Sequence, residues 1–332
     1  MQIIRKKAFA RAGFVGNPSD GYGGKTIAFS VRDFHAQVTL YEWDRIEIVP
    51  SQEDQSRFSS IHELAQDVRL HGYYGGIRLV KATIKKFAEY CTARGLKIHD
   101  RNFSIRYETT IPRQVGLAGS SAIIVATLRA LMEFYEILIP EEVQPSFVLS
   151  VEREELRIMA GLQDRVIQVY EGCVSMDFSD MHMRDGFLCG TYERIDPALL
   201  PPVYLAYNVG FGEPTEVLHN DLRAQFEAKE PTALAAMRRL AGIADESNDA
   251  IRNGDANSLG RLIDENFNVR RSICHLPPEH IDMIERARNA GASAKFAGSG
   301  GAIVGTCPDE KTFERLEAAL AEIQCRVIRP TM

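Results

Sequence analysis

Apolar and polar positions alternate along the first fifty residues as a half-buried strand requires. Residues 8–15, 26–31, 36–43 and 45–49 either alternate or run apolar, with Gly and Asp between them, so the chain is predicted to open as β structure. The polar stretch 51–60 reads as a loop. Apolar spacing then shifts to three and four residues over 61–70, and more strongly over 77–94, which predicts helices. A strand pattern returns at 103–108, followed by helical segments at 120–135, 140–156 and 162–170 and a further strand at 173–178.

Pro197 to Pro202 marks a boundary in this pattern. Beyond it come a strand at 203–208, long helices from about 220 to 253, and helices at 258–271 and 279–290. Strand, helix and strand close the chain at 302–307, 311–323 and 326–329. With 332 residues the chain exceeds what one core usually supports, and two domains, 1–196 and 197–332, are expected. The element order predicts an α+β fold with antiparallel strands rather than repeating βα units.

Composition narrows the function classes. A net charge of −6 argues against nucleic acid as a partner, and no stretch approaches the roughly 20 apolar residues of a membrane helix. The first residues lack a signal-peptide core, so a cytoplasmic protein is expected. Cys91, Cys173, Cys189, Cys274, Cys307 and Cys325 lie far apart without a C-x-x-C pair and read as reduced thiols. Motifs of metalloproteases, α/β-hydrolases and dinucleotide-binding folds are absent.

Three glycine-rich segments remain. Residues 112–122, PRQVGLAGSSA, follow a strand and open a helix. Unpartnered N–H groups, a favourable dipole and close backbone approach suit such a place to phosphate, although the same residues also suit an ordinary N-cap. No Lys follows Gly119 in the Walker A register, so a nucleotide triphosphate would be held by a different fold. Residues 11–24 end a strand in a loop with Asn17, Ser19 and Asp20, groups able to hold sugar hydroxyls or simply to make a turn. Residues 291–302 are dense in glycine with Lys295 beside them, as a ligand loop or a tight turn with a surface lysine would be. Between the second and third segments, Gly161 interrupts a helix and places Asp164 in the next first turn, either as a dipole partner or as a base paired with an acid one helix earlier.

In this order the segments resemble the three motifs of the GHMP kinases, the superfamily of galactokinase, homoserine kinase and mevalonate kinase. Residues 16–21, 72–79, 111–114, 160–166 and 295–302 look closest to its glucuronokinase branch, which makes a sugar 1-phosphate from glucuronic acid and ATP. Two departures stand out: Asn17-Pro18 where many members have Glu-His, and Ala118 for a common Gly. The first suggests a different sugar preference, the second a slightly different loop backbone. The resemblance implies a two-domain GHMP kinase fold: a first domain like the second domain of ribosomal protein S5, then a ferredoxin-like domain.

It also implies roles, with a small sugar acid and ATP as partners. Asp164 would take or orient the proton of the anomeric hydroxyl, and Arg11 would neutralise charge near the transferred phosphoryl group. Pro112, Gly116, Leu117, Ala118, Gly119, Ser120, Ser121 and Ala122 would cradle ATP, with Ser121 (or Ser120) and Glu152 holding Mg2+ and Glu155 as the fallback. Asn17, Ser19, Asp20, Lys295, Gly298, Ser299 and Gly300 would face the substrate. Arg165 and Arg113, with Arg78 as a weaker third, are the candidates for a uronate carboxylate, because a guanidinium can bind both of its oxygens. Packing residues for the purine are expected within 59–79. Another GHMP kinase, with a heptose phosphate, a neutral sugar or a small alcohol as acceptor, and a non-catalytic sensor on the same scaffold are the rival expectations.

Overall fold

A computed structural model of the chain describes residues 3–50, 54, 75–208 and 216–332. The expected helix at 61–70, most of the loop at 51–60, the 72–74 part of the 72–79 segment and much of the expected purine region lie outside the described residues.

The spine of the first sheet is β2 (Lys25–Trp43), paired along one edge with β1 (Ile3–Val15) in antiparallel register. Its other edge divides. Residues 36–43 pair with β4 (Asn102–Thr109), which in turn takes the short β3 (Glu47–Val49) as a parallel neighbour. Residues 25–29 pair with β5 (Cys173–Arg184). In the gap between the two, Arg32 N–H donates to Thr331 O at 2.8 Å and Thr331 N–H donates to Asp33 Oδ2 at 2.8 Å, so the C-terminal tail covers the split. Arg32 and Asp33 are exposed there, which is why a single strand looks like two in the sequence. The hairpin partner β6 (Phe187–Ile195) was not expected. It follows Asp185-Gly186, both at positive φ, the turn that fits hairpin twist, but the outer half of β5 is polar and exposed and hides the strand period.

On one face lie α1 (Gly76–Ala93), α2 (Gly119–Phe134), α3 (Gln144–Ser150) and α4 (Gln163–Tyr170). α2 is the central one: Ile124, Val125, Leu128 and Leu131 are fully buried beneath β1 and β2. The expected helix at 140–156 ends earlier, in a π-helical turn at Val151–Glu155.

The second sheet is built from β7 (Val203–Asn208), β8 (Lys295–Phe296), β9 (Ala302–Thr306) and β10 (Cys325–Ile328), in the antiparallel order β10-β7-β9-β8. This is the ferredoxin-like order. Between β7 and β8 the chain runs through α5 (Glu216–Glu227), α6 (Pro231–Arg252), α7 (Ala256–Ile273) and α8 (Pro278–Asn289), and α9 (Glu310–Ala321) joins β9 to β10. One apolar cluster reaches from Phe29 and Leu40 in the first sheet to Leu205 and Val304 in the second. The sheets also touch through backbone, Gly13 N–H donating to Ala297 O at 2.7 Å. Among the described residues no helix is long and apolar enough to cross a membrane.

Candidate active site

Arg11 sits in β1 with its side chain buried, and its guanidinium gathers three segments that are far apart in sequence. Nε donates to Asp164 Oδ1 at 2.6 Å, while Nη1 donates to Gly116 O at 2.5 Å and to Ala297 O at 3.1 Å. Asp164 lies in the first turn of α4, as expected, and its other oxygen is 3.3 Å from Arg165 Nη1. Arg165 in turn donates through Nε to Glu152 Oε2 and through Nη1 to Gly161 O at 2.9 Å. Charges therefore alternate along a line: Arg11, Asp164, Arg165, Glu152.

This line sets the protonation states. Burial pushes Asp164 up, but Arg11 and then Arg165 outweigh it and hold the carboxyl below its usual value. Glu152, only 1% exposed, is raised by burial against the opposing charge of Arg165. The π-helical turn sends Glu152 inward, while Glu155 pairs outward with Lys85 of α1 at 2.8 Å. Ser121, in the first turn of α2, is buried with its hydroxyl donating to Ala118 O at 3.2 Å. The donors on offer here are hydroxyl and carboxylate oxygens, the set that suits magnesium.

The loop before α2 is shaped by Gln114, Gly116 and Ala118, all at positive φ. Ala118 adopts the left-handed conformation that glycine takes at least cost, so its difference from the common Gly changes strain, not the sense of the backbone. No side chain caps α2, which leaves its first N–H groups facing the loop mouth. The carbonyl of Ala118 is tied back by Gln168 Nε2 at 2.8 Å. The third glycine segment closes over this loop: a Cβ at Gly298 would lie 2.2 Å from Gly116 O, and one at Gly116, whose φ is +73°, would lie 3.0 Å from Ser299 N and Gly300 O. Arg270 holds that segment, donating to Gly298 O at 2.7 Å and Ser299 O at 3.2 Å beneath the ring of Phe296. Pro112, Leu117, Gly119, Ser120 and Ala122 complete the stretch around the loop.

Lys295 corrects an expectation. Its ammonium is 1% exposed and donates to Gly13 O, Asn17 Oδ1 and Phe296 O at 2.6–2.7 Å, so all three N–H bonds end on the protein. Burial, then the charges of Arg270 and Arg11, push it well below an ordinary lysine. It fastens the second sheet to β1 instead of offering charge to a ligand. Asn17 faces the same way, its carbonyl accepting from Asn266 Nδ2 at 3.1 Å, and Ser19 turns inward to donate to Lys25 O at 3.0 Å. Asp20, half-buried in the turn Ser19–Tyr22, stays in the site: a Cβ at Gly161 would lie 2.6 Å from its Oδ2. Burial and the neighbouring Asp164 raise its pKa to about 6. Arg165 is committed to Glu152 and Asp164, Arg113 is exposed at the start of the loop, and Arg78 is half-buried in the first turn of α1.

Comparison with known proteins shows the family. The family model described as GHMP kinases N terminal domain matches residues 78–172, and the one described as GHMP kinases C terminal matches residues 247–325. The chain belongs to the GHMP kinases. It is 41% identical over 330 residues, 97% of its own length and 89% of the relative's, to Glucuronokinase 1 of Arabidopsis thaliana. Identity is also 41% to Probable glucuronokinase 2 of the same plant, over 98% of this chain and 88% of the other. The crystal structure of Lactococcus lactis galactokinase complexed with galactose shares the fold, with a TM-score of 0.78 at 14% identity over 100% of this chain and 94% of that one.

In this GHMP kinase three supporting residues escape a reading of motifs: Arg270, Gln168 and Asn266. Each lies within a helix and acts on backbone, Asn266 Oδ1 accepting from Gly16 N–H at 2.6 Å. The signal for them is slight: polar side chains on otherwise apolar helix faces, which a sequence alone cannot aim.

Proposed function

We propose that the protein is an ATP- and magnesium-dependent sugar 1-kinase whose acceptor is D-glucuronate. The observation that carries the chemistry is Asp164, held ionised by Arg11 in the corner between the loop before α2 and the 297–300 segment. The likeness over 97% of the chain to a protein named for glucuronate supports the acceptor.

In this reading the ATP phosphates lie at the N-terminus of α2, where Gly119, Ser120 and Ser121 present their N–H groups. Ser121 and Glu152 would hold magnesium, which takes few protein oxygens and neutralises phosphate charge when bound. The anomeric hydroxyl gives its proton to Asp164 as its oxygen bonds to the γ-phosphorus, the bond to the bridging oxygen breaks, and ADP leaves. Arg11 orients Asp164 and adds positive charge beside the transferred group. The two sheets support a division into residues 1–196 and 197–332, each contributing one wall. The six cysteines are free thiols, which suits the reducing cytoplasm.

A coupled assay of ADP release with glucuronate, galacturonate, glucose, galactose, a heptose phosphate, homoserine and mevalonate tests the reading. Glucuronate should give the highest kcat/KM and a 1-phosphate product. Preference for another acceptor would replace the sugar acid while leaving phosphoryl transfer in place.

Asp20 adds a pH signature. With a pKa of about 6 it is protonated below that value and ionised above it, and only the ionised form accepts hydrogen bonds from sugar hydroxyls through both oxygens. The kcat/KM for the sugar should therefore fall as pH drops through about 6. Asp20→Asn should be weaker throughout and lack this limb in its pH–rate profile; an unchanged limb would assign it to another group.

A further inference from the structure

With Arg165 committed to two carboxylates, a uronate needs another cation. We propose that Arg153, assisted by Arg223, anchors the carboxylate of the acceptor sugar. Arg153 projects from the π-helical turn, and both its Nε, at 2.8 Å, and its Nη2 donate to Ala160 O. Ala160 immediately precedes Gly161, the residue whose missing side chain makes room for Asp20. Arg223 reaches the same bend from α5, its Nη1 lying 3.8 Å from Met159 Sδ. Residues 159–160 thus meet two guanidinium groups, next to Gly161 and the carboxylate assigned to the sugar hydroxyls.

Among the described residues Arg153 has no carboxylate partner, and Arg223 pairs only with Glu227 of its own helix, at 2.6 Å and exposed. Two guanidinium groups at one bend, Arg153 among them without a carboxylate partner in the described residues, favour an anion beside them. Both side chains are exposed to solvent and open to a ligand.

Substrate geometry agrees. In the pyranose ring of a hexuronate the carboxylate is carried by C5, between the ring oxygen and C4 with its hydroxyl. With the anomeric hydroxyl at Asp164 and the C4 hydroxyl at Asp20, the carboxylate on the adjoining carbon lies beside Asp20, toward the bend that Arg153 occupies. A guanidinium fork there can meet both carboxylate oxygens.

The inference rests on the glucuronate reading, and the test separates the two. The kcat/KM for glucuronate and for glucuronamide, its neutral amide, is measured in the wild type, Arg153→Met, Arg153→Lys and Arg223→Met. Wild type should prefer the acid. Arg153→Met should raise the KM for glucuronate roughly 10–100-fold, the loss expected for a charge-assisted hydrogen bond, and bring the acid-to-amide ratio toward one with the KM for ATP unchanged. Arg153→Lys should recover part of the preference, and Arg223→Met should show a smaller loss in the same direction. A ratio preserved in Arg153→Met overturns the anchor while the kinase reading stands. A wild type that phosphorylates neither compound overturns both.

Discussion

Asp164→Asn is expected to lower kcat by roughly 10²–10⁴-fold, the usual contribution of a positioned general base, with ATP affinity close to that of the wild type. Asparagine keeps the volume, and its carbonyl still accepts from Arg11 Nε, so the corner between the loop before α2 and the 297–300 segment stays assembled. What is lost is the ability to take a proton. The low pKa of Asp164 makes it a weak base, yet an anomeric hydroxyl is a stronger acid than an ordinary alcohol, and the site does not need a carboxyl tuned to neutrality. It follows that ionisation of Asp164 sets no limb in the activity profile near pH 6, where Asp20 does. Removing the charge also leaves Arg11 and Arg165 with one anion fewer, so the comparison belongs at a temperature well below the variant's melting point, with nucleotide affinity measured by calorimetry. Turnover near the wild-type value would remove Asp164 from the base role and leave it as a partner for two arginines.

The parts of this site that a sequence displays are those made by backbone. Gly298 is glycine because a Cβ there would run into Gly116 O, and Gly116 because its backbone lies at positive φ, and such demands leave a pattern at short range. Asp164 was legible for a similar reason, since Gly161 breaks the helix and fixes where the next one starts. Lys295 was not. A lysine beside glycines reads as an offered charge, and only the approach of β1 to the second sheet shows three internal acceptors around it. Likewise, Glu152 and Glu155 cannot be told apart by spacing, because the turn between α3 and α4 is π-helical and neither helical register applies to it. The fold shows the same division. Strands with one buried face were readable, whereas β6 pairs with an exposed, polar half of β5 and left no period to see. Tertiary pairing between distant side chains, such as Arg153 and Arg223 at one bend, has no local pattern at all.

Arg165→Met should destabilise the fold by about 3–5 kcal/mol, the range for removing one member of a buried ion pair. The cause is not a lost attraction so much as the carboxylate left behind. Glu152 is 1% exposed, and its charge in the fold is tolerated because Arg165 opposes the effect of burial. Methionine fills much of the arginine's volume but offers no donor to Glu152 Oε2 or Gly161 O. Two consequences distinguish this account from simple loss of packing. First, Arg165→Met/Glu152→Gln should recover a large part of the deficit, since a neutral amide no longer has to be buried as an anion; the double-mutant cycle should therefore show strong coupling. Second, the deficit of the single variant should shrink toward acid. A buried carboxyl with a raised folded-state pKa binds a proton more readily folded than unfolded, so stability rises as pH falls through that pKa and is lowest above it. Urea unfolding of wild type, both single variants and the double variant at pH 8 and pH 5 supplies all the terms. If the double variant is no more stable than Arg165→Met, and the deficit is the same at both pH values, Arg165 supports the fold by filling space, and the line of alternating charge from Arg11 to Glu152 loses its last link.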